Sequence, residues 1–410
     1  MKIQNFINGD FAEPISGNYF DNITPVTGEV YSQIPDSDSS DIDLAVSSAK
    51  EAFKSWSKLS KNERYDHIMH LADEIKAHFD ELVEAESKDN GKPEWLARSV
   101  DIPRASENFR FFATASLHFD SEIHEMDGKA LNYTLRQPVG VVGCISPWNL
   151  PLYLLTWKIA PALAAGNTVV AKPSEITPMT AYLFSKICQK ADFPKGVINI
   201  VHGYGHKVGD ALSRHPDVPI ISFTGGTATG EKIAAVAAPM FKKLSLEMGG
   251  KNPNIIFEDA DFDNAVKMSA KAAFSNQGQI CLCGSRLFVQ ESIYDKFRTA
   301  VIQETQTLKV GDPKDEKSNL GAVVSKPHMQ KILNCIDDAK AEGGEILTGG
   351  NRVILEGDLK DGYYIEPTII DGLTANCKTN QEEIFGPVVS MIPFKTEEEV
   401  IEMANSTKYG

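Results

Sequence analysis

No apolar run in this sequence is long enough to span a bilayer. The longest, "PLYLLTWKIAPALAAG", is interrupted by Lys158 and Pro161. The N-terminal "MKIQNFINGDFAEP" lacks the continuous hydrophobic stretch of a secretory leader. Cysteine is scarce: six residues, at 144, 188, 281, 283, 335 and 377, are too few and too scattered for a secreted disulfide framework. Basic charge is in deficit, since 41 Lys and Arg against 56 Asp and Glu leave a net charge of −15. That balance disfavours phosphate-rich partners such as nucleic acid or an anionic membrane. Internal repeats and low-complexity tracts are missing too. These absences point to a cytoplasmic, globular chain that acts on a small molecule. With 410 residues, 42% of them hydrophobic, two or more cores are expected.

The pattern along the chain then gives the fold class. Residues 1–35 read as short extended segments broken by "NGD", "SGN" and "TGE" turns. From Asp41 to about Leu117, apolar residues recur every three or four positions, which predicts helices. Residues 128–140 alternate like a strand. After them, "VGVVGCI", "TVVAKP", "GVINIVHG" and "PIISFTG" are short strands rich in Val and Ile, separated by helical stretches. Apolar strands alternating with helices predict a doubly wound α/β sheet. A second α/β pattern starts after "LSLEMGGKNP", with strands at "NIIFED", "SRLFVQ", "EILTGG", "YYIEPTII" and "GPVVSMIPF".

In such a sheet, ligands bind beyond the carboxyl ends of the strands, and three loops there carry chemistry. Gly225, Gly226 and Gly230 in "FTGGTATG" open a helix whose amides suit a pyrophosphate, or simply make a tight turn. Neither a P-loop nor the G-x-G-x-x-G fingerprint is present. In "AKPSE", Lys172 and Glu175 suit a ribose diol, and the carboxylate would repel a 2′-phosphate, which favours NAD; a solvated turn is the competing explanation. Asn149, between two prolines in "SPWNLP", is either an oxyanion donor or a helix N-cap. Glu247 alternates with Leu244, Leu246 and Met248, so it is either a general base or an exposed strand residue. The segment "NQGQICLCGSR" holds Cys281 and Cys283 without the partner ligands of a metal site and too close together for a disulfide. Buried filler and displayed nucleophile both remain open for these thiols.

Taken together, "INGDF", "ISPWNLPLYLLTWKIAPALAAGNTVVAKPSE", "FTGGTATG", "LEMGGKNP", "NQGQICLC" and "EEIFGPVV" resemble the NAD(P)-dependent aldehyde dehydrogenase superfamily, in order and from residue 6 to the last. The resemblance implies a Rossmann-type NAD-binding domain (1–120 and 141–249), an oligomerisation arm (121–140) and an α/β catalytic domain bearing the thiol (250–410). It implies Cys281 as nucleophile, Glu247 as general base, and Asn149 with the Cys281 amide as oxyanion hole. Lys172 and Glu175 would hold the adenosine ribose, Gly225 to Gly230 the pyrophosphate, Glu383 the nicotinamide ribose, and Phe385 would pack near the nicotinamide. Ile145, Ser146, Trp148, Ser174, Gly205, Gly209, Phe223 and Thr224 complete the implied cofactor contacts. Cys283 is expected to be an oxidation-prone neighbour without a chemical role. No metal is expected.

Within the superfamily, "DIPRASENFRFF", "ICLC" and the segment around Asn149 look most like 2-aminomuconic and 2-hydroxymuconic semialdehyde dehydrogenases of aromatic-ring breakdown. Their substrates carry a carboxylate, for which Arg104, with Arg110 as second choice, is the candidate partner; a helix-surface ion pair is the alternative. Oxidation of another aldehyde, such as succinic semialdehyde, is the nearest rival. Two departures stand out. Gly226 replaces the usual serine of "FTGS", with Thr227 as a possible substitute. The chain also stops at "ANSTKYG", where the family continues through a substrate-pocket loop and a last strand of the oligomerisation sheet. The expectation is therefore a catalytic domain without its C-terminal part, a homo-oligomer (dimer or tetramer) only if that part is present, and, as a further alternative, an NAD-binding pseudoenzyme.

Overall fold

A computed structural model describes residues 1–409, in two compact units. The first comprises Met1–Asn22, Tyr31–Glu86 and Arg98–Glu247; the second comprises Ile23–Val30, Ser87–Ala97 and the chain from Met248.

The first unit is built on a seven-stranded sheet, ordered Lys243–Met248, Ile220–Gly225, Val141–Ile145, Thr168–Lys172, Ile198–Ile200, Asn5–Ile7 and Asp10–Ala12. The four strands from Ile220–Gly225 to Ile198–Ile200 are parallel, and the two N-terminal strands close that edge antiparallel. Val141–Ile145 and Thr168–Lys172 are buried at every position, as expected of central parallel strands covered on both faces. Val141–Ile145 is first in sequence among the parallel four. Its neighbours are the second and the fourth, so strand order reverses beside it, and a crevice opens at that switch point.

One face is covered by the helix Ser39–Trp56, whose capping box joins Asp38 and Asp41. Its Ile42, Ala45, Val46 and Ala49 pack into a core with Val141, Val170, Ile221 and Phe223. The helices Lys61–Ala77, Ile102–Leu117, Pro151–Ala164 and Met179–Lys190 complete the unit's layers. The alternation over 128–140 yields only the strand Ala130–Tyr133, paired with Ile123–Met126 in an exposed hairpin. Residues 134–139 are not a strand, because alternation alone gives no ladder where no neighbouring strand supplies bonds.

The second unit has a five-stranded sheet, ordered Pro253–Ile256, Arg286–Gln290, Val388–Phe394, Thr368–Asp371 and Glu345–Thr348; only the last is antiparallel. "YYIEPTII" splits into Tyr364–Ile365 and Thr368–Asp371 on either side of Pro367. Ser87–Ala97, which the helical pattern continues from the first unit, groups here through long-range bonds. Glu94 N donates to Pro313 O at 2.9 Å, Ala322 N to Gly91 O at 2.9 Å, and Trp95 Nε1 to Ser318 O at 2.8 Å. Among the described residues, no helix is long and apolar enough to cross a membrane, and no cluster of metal-binding side chains is found.

Candidate active site

In the first unit the strand-end loops surround a cavity of about 320 Å³, lined by Ile145, Gly205 and Gly209 together with Thr229, Ile233 and Val236. Lys172, at the end of its strand and buried, forms an ion pair with Glu175 three residues on. Glu175 Oε1 also accepts from Gly205 N at 3.0 Å. Burial alone would raise the Glu175 carboxyl, but the Lys172 ammonium and the Gly205 amide hold it below its usual range. Ser174 is buried beside the pair and accepts from Ile176 N at 3.2 Å.

The helix Thr227–Ala237 starts at Gly226, and no side chain caps it, so its first turn has backbone donors for an anion. Gly226 has an ordinary negative φ of −73°. At Gly225 the reason for glycine is space, since a Cβ there would meet the Phe223 ring. Phe223 itself is buried in the core and Thr224 is half-buried; neither lines the cavity. Gly230 is buried one turn into the helix. A largely apolar cavity whose lining also includes His206, Asp210, Ser213 and Lys232, a carboxylate–ammonium pair and an uncapped helix start suit adenine, ribose and pyrophosphate, so the residues present fit NAD.

Asn149 is buried at 4% exposure, ahead of the helix Pro151–Ala164. The N-cap of that helix is Leu150 and no side chain caps it, so the capping explanation for Asn149 does not hold. Trp148, half-buried in the same turn, accepts through its carbonyl from Thr177 Oγ1 at 3.5 Å. Ser146 is buried with its Oγ unpartnered. Glu247 is exposed on Lys243–Met248, while Leu244 and Leu246 turn into the core.

Arg104 is exposed on Ile102–Leu117. Its guanidinium lies 3.9 Å from Glu107 and 5.7 Å from the Tyr153 ring centroid. The structure therefore sets it apart from the cofactor cavity, on the helix pair formed with Pro151–Ala164. Arg110 is tied to Asp73.

Two residues of the first unit went unassigned in the sequence. Lys158, 4% exposed, donates to Ser222 Oγ at 3.3 Å. Burial lowers its ammonium to about 8, although Cys144 and Glu247 pull it upward. His202 is buried with both ring nitrogens unpartnered, and burial together with Lys172 lowers it to about 3, so it stays neutral. Nothing in the sequence marked either residue, because tertiary burial makes them unusual.

Cys281, Glu383 and Phe385 belong to the second unit. The helix Phe262–Phe274 breaks at Ser275, and Asn276, Gln277 and Gly278 then take positive φ of 51°, 55° and 68°. Two consecutive non-glycine residues in that region are strained and need bracing. Gln277 Nε2 donates to Ala322 O at 3.0 Å and its Oε1 accepts from Gly321 N at 3.2 Å, while Gln279 Oε1 accepts from Val324 N at 3.0 Å. At Gly278 a Cβ would overlap the Gly386 carbonyl. Asn252 closes the loop by donating to the carbonyls of Cys281 (2.6 Å) and Cys283 (3.1 Å). Its segment, "GGKNP", stands out in the sequence by its paired glycines, but nothing local in it encodes this role.

The two thiols are thereby separated in character. Cys281 is partly exposed, whereas Cys283 is buried, and burial pushes its thiol up to about 12. Contrary to expectation, Cys283 is sheltered from oxidation, since oxidants need an accessible thiolate. Glu383 accepts from Gly250 N at 3.1 Å, and burial raises its carboxyl. Gly249 is needed beside it, because a Cβ there would overlap that carboxylate. Phe385, with φ of 60°, is held through its carbonyl by His328 Nε2 at 2.7 Å. Glu383 and Phe385 line one small cavity together with Cys283.

The model of the aldehyde dehydrogenase family matches residues 11–410. The chain is 50% identical to the 2-aminomuconic semialdehyde dehydrogenase of Homo sapiens over 413 residues, covering all of this chain and 84% of that protein. It is 44% identical to the 2-hydroxymuconic semialdehyde dehydrogenase of Pseudomonas sp. strain CF600, covering all of this chain and 85% of that protein. The NAD⁺ complex of an aldehyde dehydrogenase from Bacillus cereus superposes with a TM-score of 0.97 at 40% identity, covering all of this chain and 83% of the other. The chain belongs to the aldehyde dehydrogenase family, whose reaction is the NAD-dependent oxidation of an aldehyde.

Proposed function

We propose that this enzyme oxidises a carboxylated semialdehyde, of the 2-aminomuconic or 2-hydroxymuconic type, to the corresponding acid. The Cys281 thiolate attacks the aldehyde carbon through Sγ, and the carbonyl electron pair moves onto oxygen, where the Asn149 side-chain amide and the Cys281 backbone amide stabilise it. NAD⁺, when bound, supplies the hydride acceptor. Loss of hydride from the carbon leaves a thioester on Cys281. Glu247 then takes a proton from water, the hydroxyl oxygen attacks the thioester carbon, the C–S bond breaks, and the carboxylate departs. A base in that position favours hydrolysis over transfer to coenzyme A. In the first unit Lys172, Glu175 and the Gly226 helix start would hold the dinucleotide; in the second, Cys281 would supply the thiol, and Glu383 and Phe385 would contact the nicotinamide ribose and ring.

The contrast between two thiols two residues apart carries this reading. A braced loop leaves the Cys281 side chain accessible, while Cys283 is buried and held protonated. For the substrate, support comes from Arg104. Its contact with Glu107 is loose at 3.9 Å, so guanidinium donors remain for a carboxylate, and Tyr153 steadies the side chain from below. The exposed hairpin, bearing Ile123, Met126, Leu131 and Tyr133 on its surface, is proposed as the contact arm of a homo-oligomer.

NADH formation measured with muconic semialdehydes, succinic semialdehyde and an uncharged aldehyde tests the proposal. Cys281→Ala is expected to abolish turnover and Cys283→Ala to retain most of it. Arg104→Gln is expected to raise KM about tenfold for the carboxylated substrates alone. Equal loss from both cysteine variants contradicts the nucleophile assignment, and equal kcat/KM across the panel contradicts the substrate class.

A further inference from the structure

The first unit carries another cavity, of about 460 Å³, to which no residue of the proposed catalytic or cofactor machinery contributes. That volume falls within the range of about 300–1,000 Å³ common to small-molecule sites. Its floor is apolar: Phe112 and Ala115 come from the end of Ile102–Leu117, and Pro161 and Ala164 from the end of Pro151–Ala164. Three cations stand around it, each held by a carbonyl or ring contact rather than by an ion pair. Arg64 Nε donates to Ala164 O at 3.2 Å, and its Nη1 donates to Leu59 O. Lys61 Nζ donates to Phe119 O at 3.2 Å, and the Arg136 guanidinium lies 4.9 Å over the Phe119 ring.

The carboxylate beside them in sequence, Glu63, accepts from Ser60 N in the capping box and acts on Arg64 only through space, without an ion pair. In a chain with fifteen more acidic than basic residues, three cations gathered over apolar surface, with no carboxylate in ion-pair contact among the described residues, form a charge complement waiting for a ligand. Carbonyl and ring contacts fix the direction of the guanidinium groups, which is the preorganisation that bidentate carboxylate recognition requires. The apolar floor selects against a bare inorganic anion, which would gain nothing from it.

We propose that this pocket binds an amphipathic organic carboxylate, its apolar body against Phe112, Ala115 and Pro161 and its carboxylate at Arg64 and Arg136. The site is separate from the aldehyde-oxidising centre and does not depend on the proposed substrate. Titration calorimetry of the full chain with sodium octanoate tests it, with octan-1-ol as the uncharged match and inorganic phosphate as competitor. Octanoate is expected to bind. Arg136→Gln, at an exposed position, should weaken it about fivefold, Ala115→Phe should abolish it, and Arg104→Gln should leave it unchanged. Circular dichroism establishes that each variant is folded; if Ala115→Phe is not, Arg136→Gln decides alone. Octan-1-ol binding as tightly as octanoate, displacement by equimolar phosphate, or unchanged binding in Arg136→Gln overturns the proposal, as does loss of binding in Arg104→Gln.

Discussion

Lys158 gives the sharpest quantitative prediction. It sits in Pro151–Ala164 at 4% exposure, and its ammonium is lowered from the ordinary 10.5 to about 8, chiefly by burial. The unfolded chain therefore holds this proton up to about pH 10.5, and the folded chain only to about pH 8. Below pH 8 both states are charged, and the folded state bears the full cost of burying the ammonium, about 3 kcal/mol. Between pH 8 and 10.5 the unfolded chain binds the extra proton, so this residue's contribution to stability rises with pH across that window.

Lys158→Met removes the charge while keeping the stem's volume. It also leaves Ser222 without its 3.3 Å donor, a loss of about 1 kcal/mol, so a net gain of about 2 kcal/mol is expected at pH 7. At pH 10.5 the charge cost is gone and only the missing bond remains, so the variant should be about 1 kcal/mol less stable than the wild type. Urea unfolding of both proteins at pH 7 and pH 10.5, followed by circular dichroism, measures this. The difference between variant and wild type isolates position 158, because Lys242 and Lys251, also lowered to about 8, titrate in both. A variant less stable at pH 7, or a stability difference that does not change with pH, refutes the reasoning.

Further outcomes follow from other parts of the molecule. Glu247→Gln should release one NADH per active site in a rapid burst and then turn over at least about a hundredfold more slowly; a full steady-state rate would remove Glu247 from the hydrolytic step. Glu175→Gln, which takes the negative charge from beside Lys172 and weakens the bond from Gly205, should raise the NAD⁺ dissociation constant about tenfold by calorimetry without altering the burst amplitude at saturation. Gly278→Ala should lower thermal stability and abolish activity together, since its φ of 68° and the Gly386 carbonyl both exclude a side chain; a folded, active variant would show that the loop has room to move.

What the sequence discloses is what local pattern encodes. Val141–Ile145 and Thr168–Lys172 are legible as strands because burial on both faces demands uninterrupted apolar residues. The loops at their ends are legible because prolines and glycines punctuate them. Residues 134–139 mislead, since alternation is necessary for a half-buried strand but does not provide the partner. The grouping of Ser87–Ala97 with the second unit rests on bonds to residues more than two hundred positions away, which no local window contains. Lys158, His202 and Asn252 are ordinary residues by type. Their significance comes from a low-dielectric setting or a distant carbonyl, and both arise only on folding.

The left-handed run at Asn276–Gly278 has a consequence for biosynthesis. The side-chain clasps of Gln277, within it, and Gln279, just after it, reach Gly321, Ala322 and Val324, so the ribosome delivers the thiol of Cys281 more than thirty residues before the segment that shapes its surroundings. Until that downstream stretch emerges and docks, the nascent chain carries this sulfur on an unshaped tether, and the loop around it is braced only after translation has passed it.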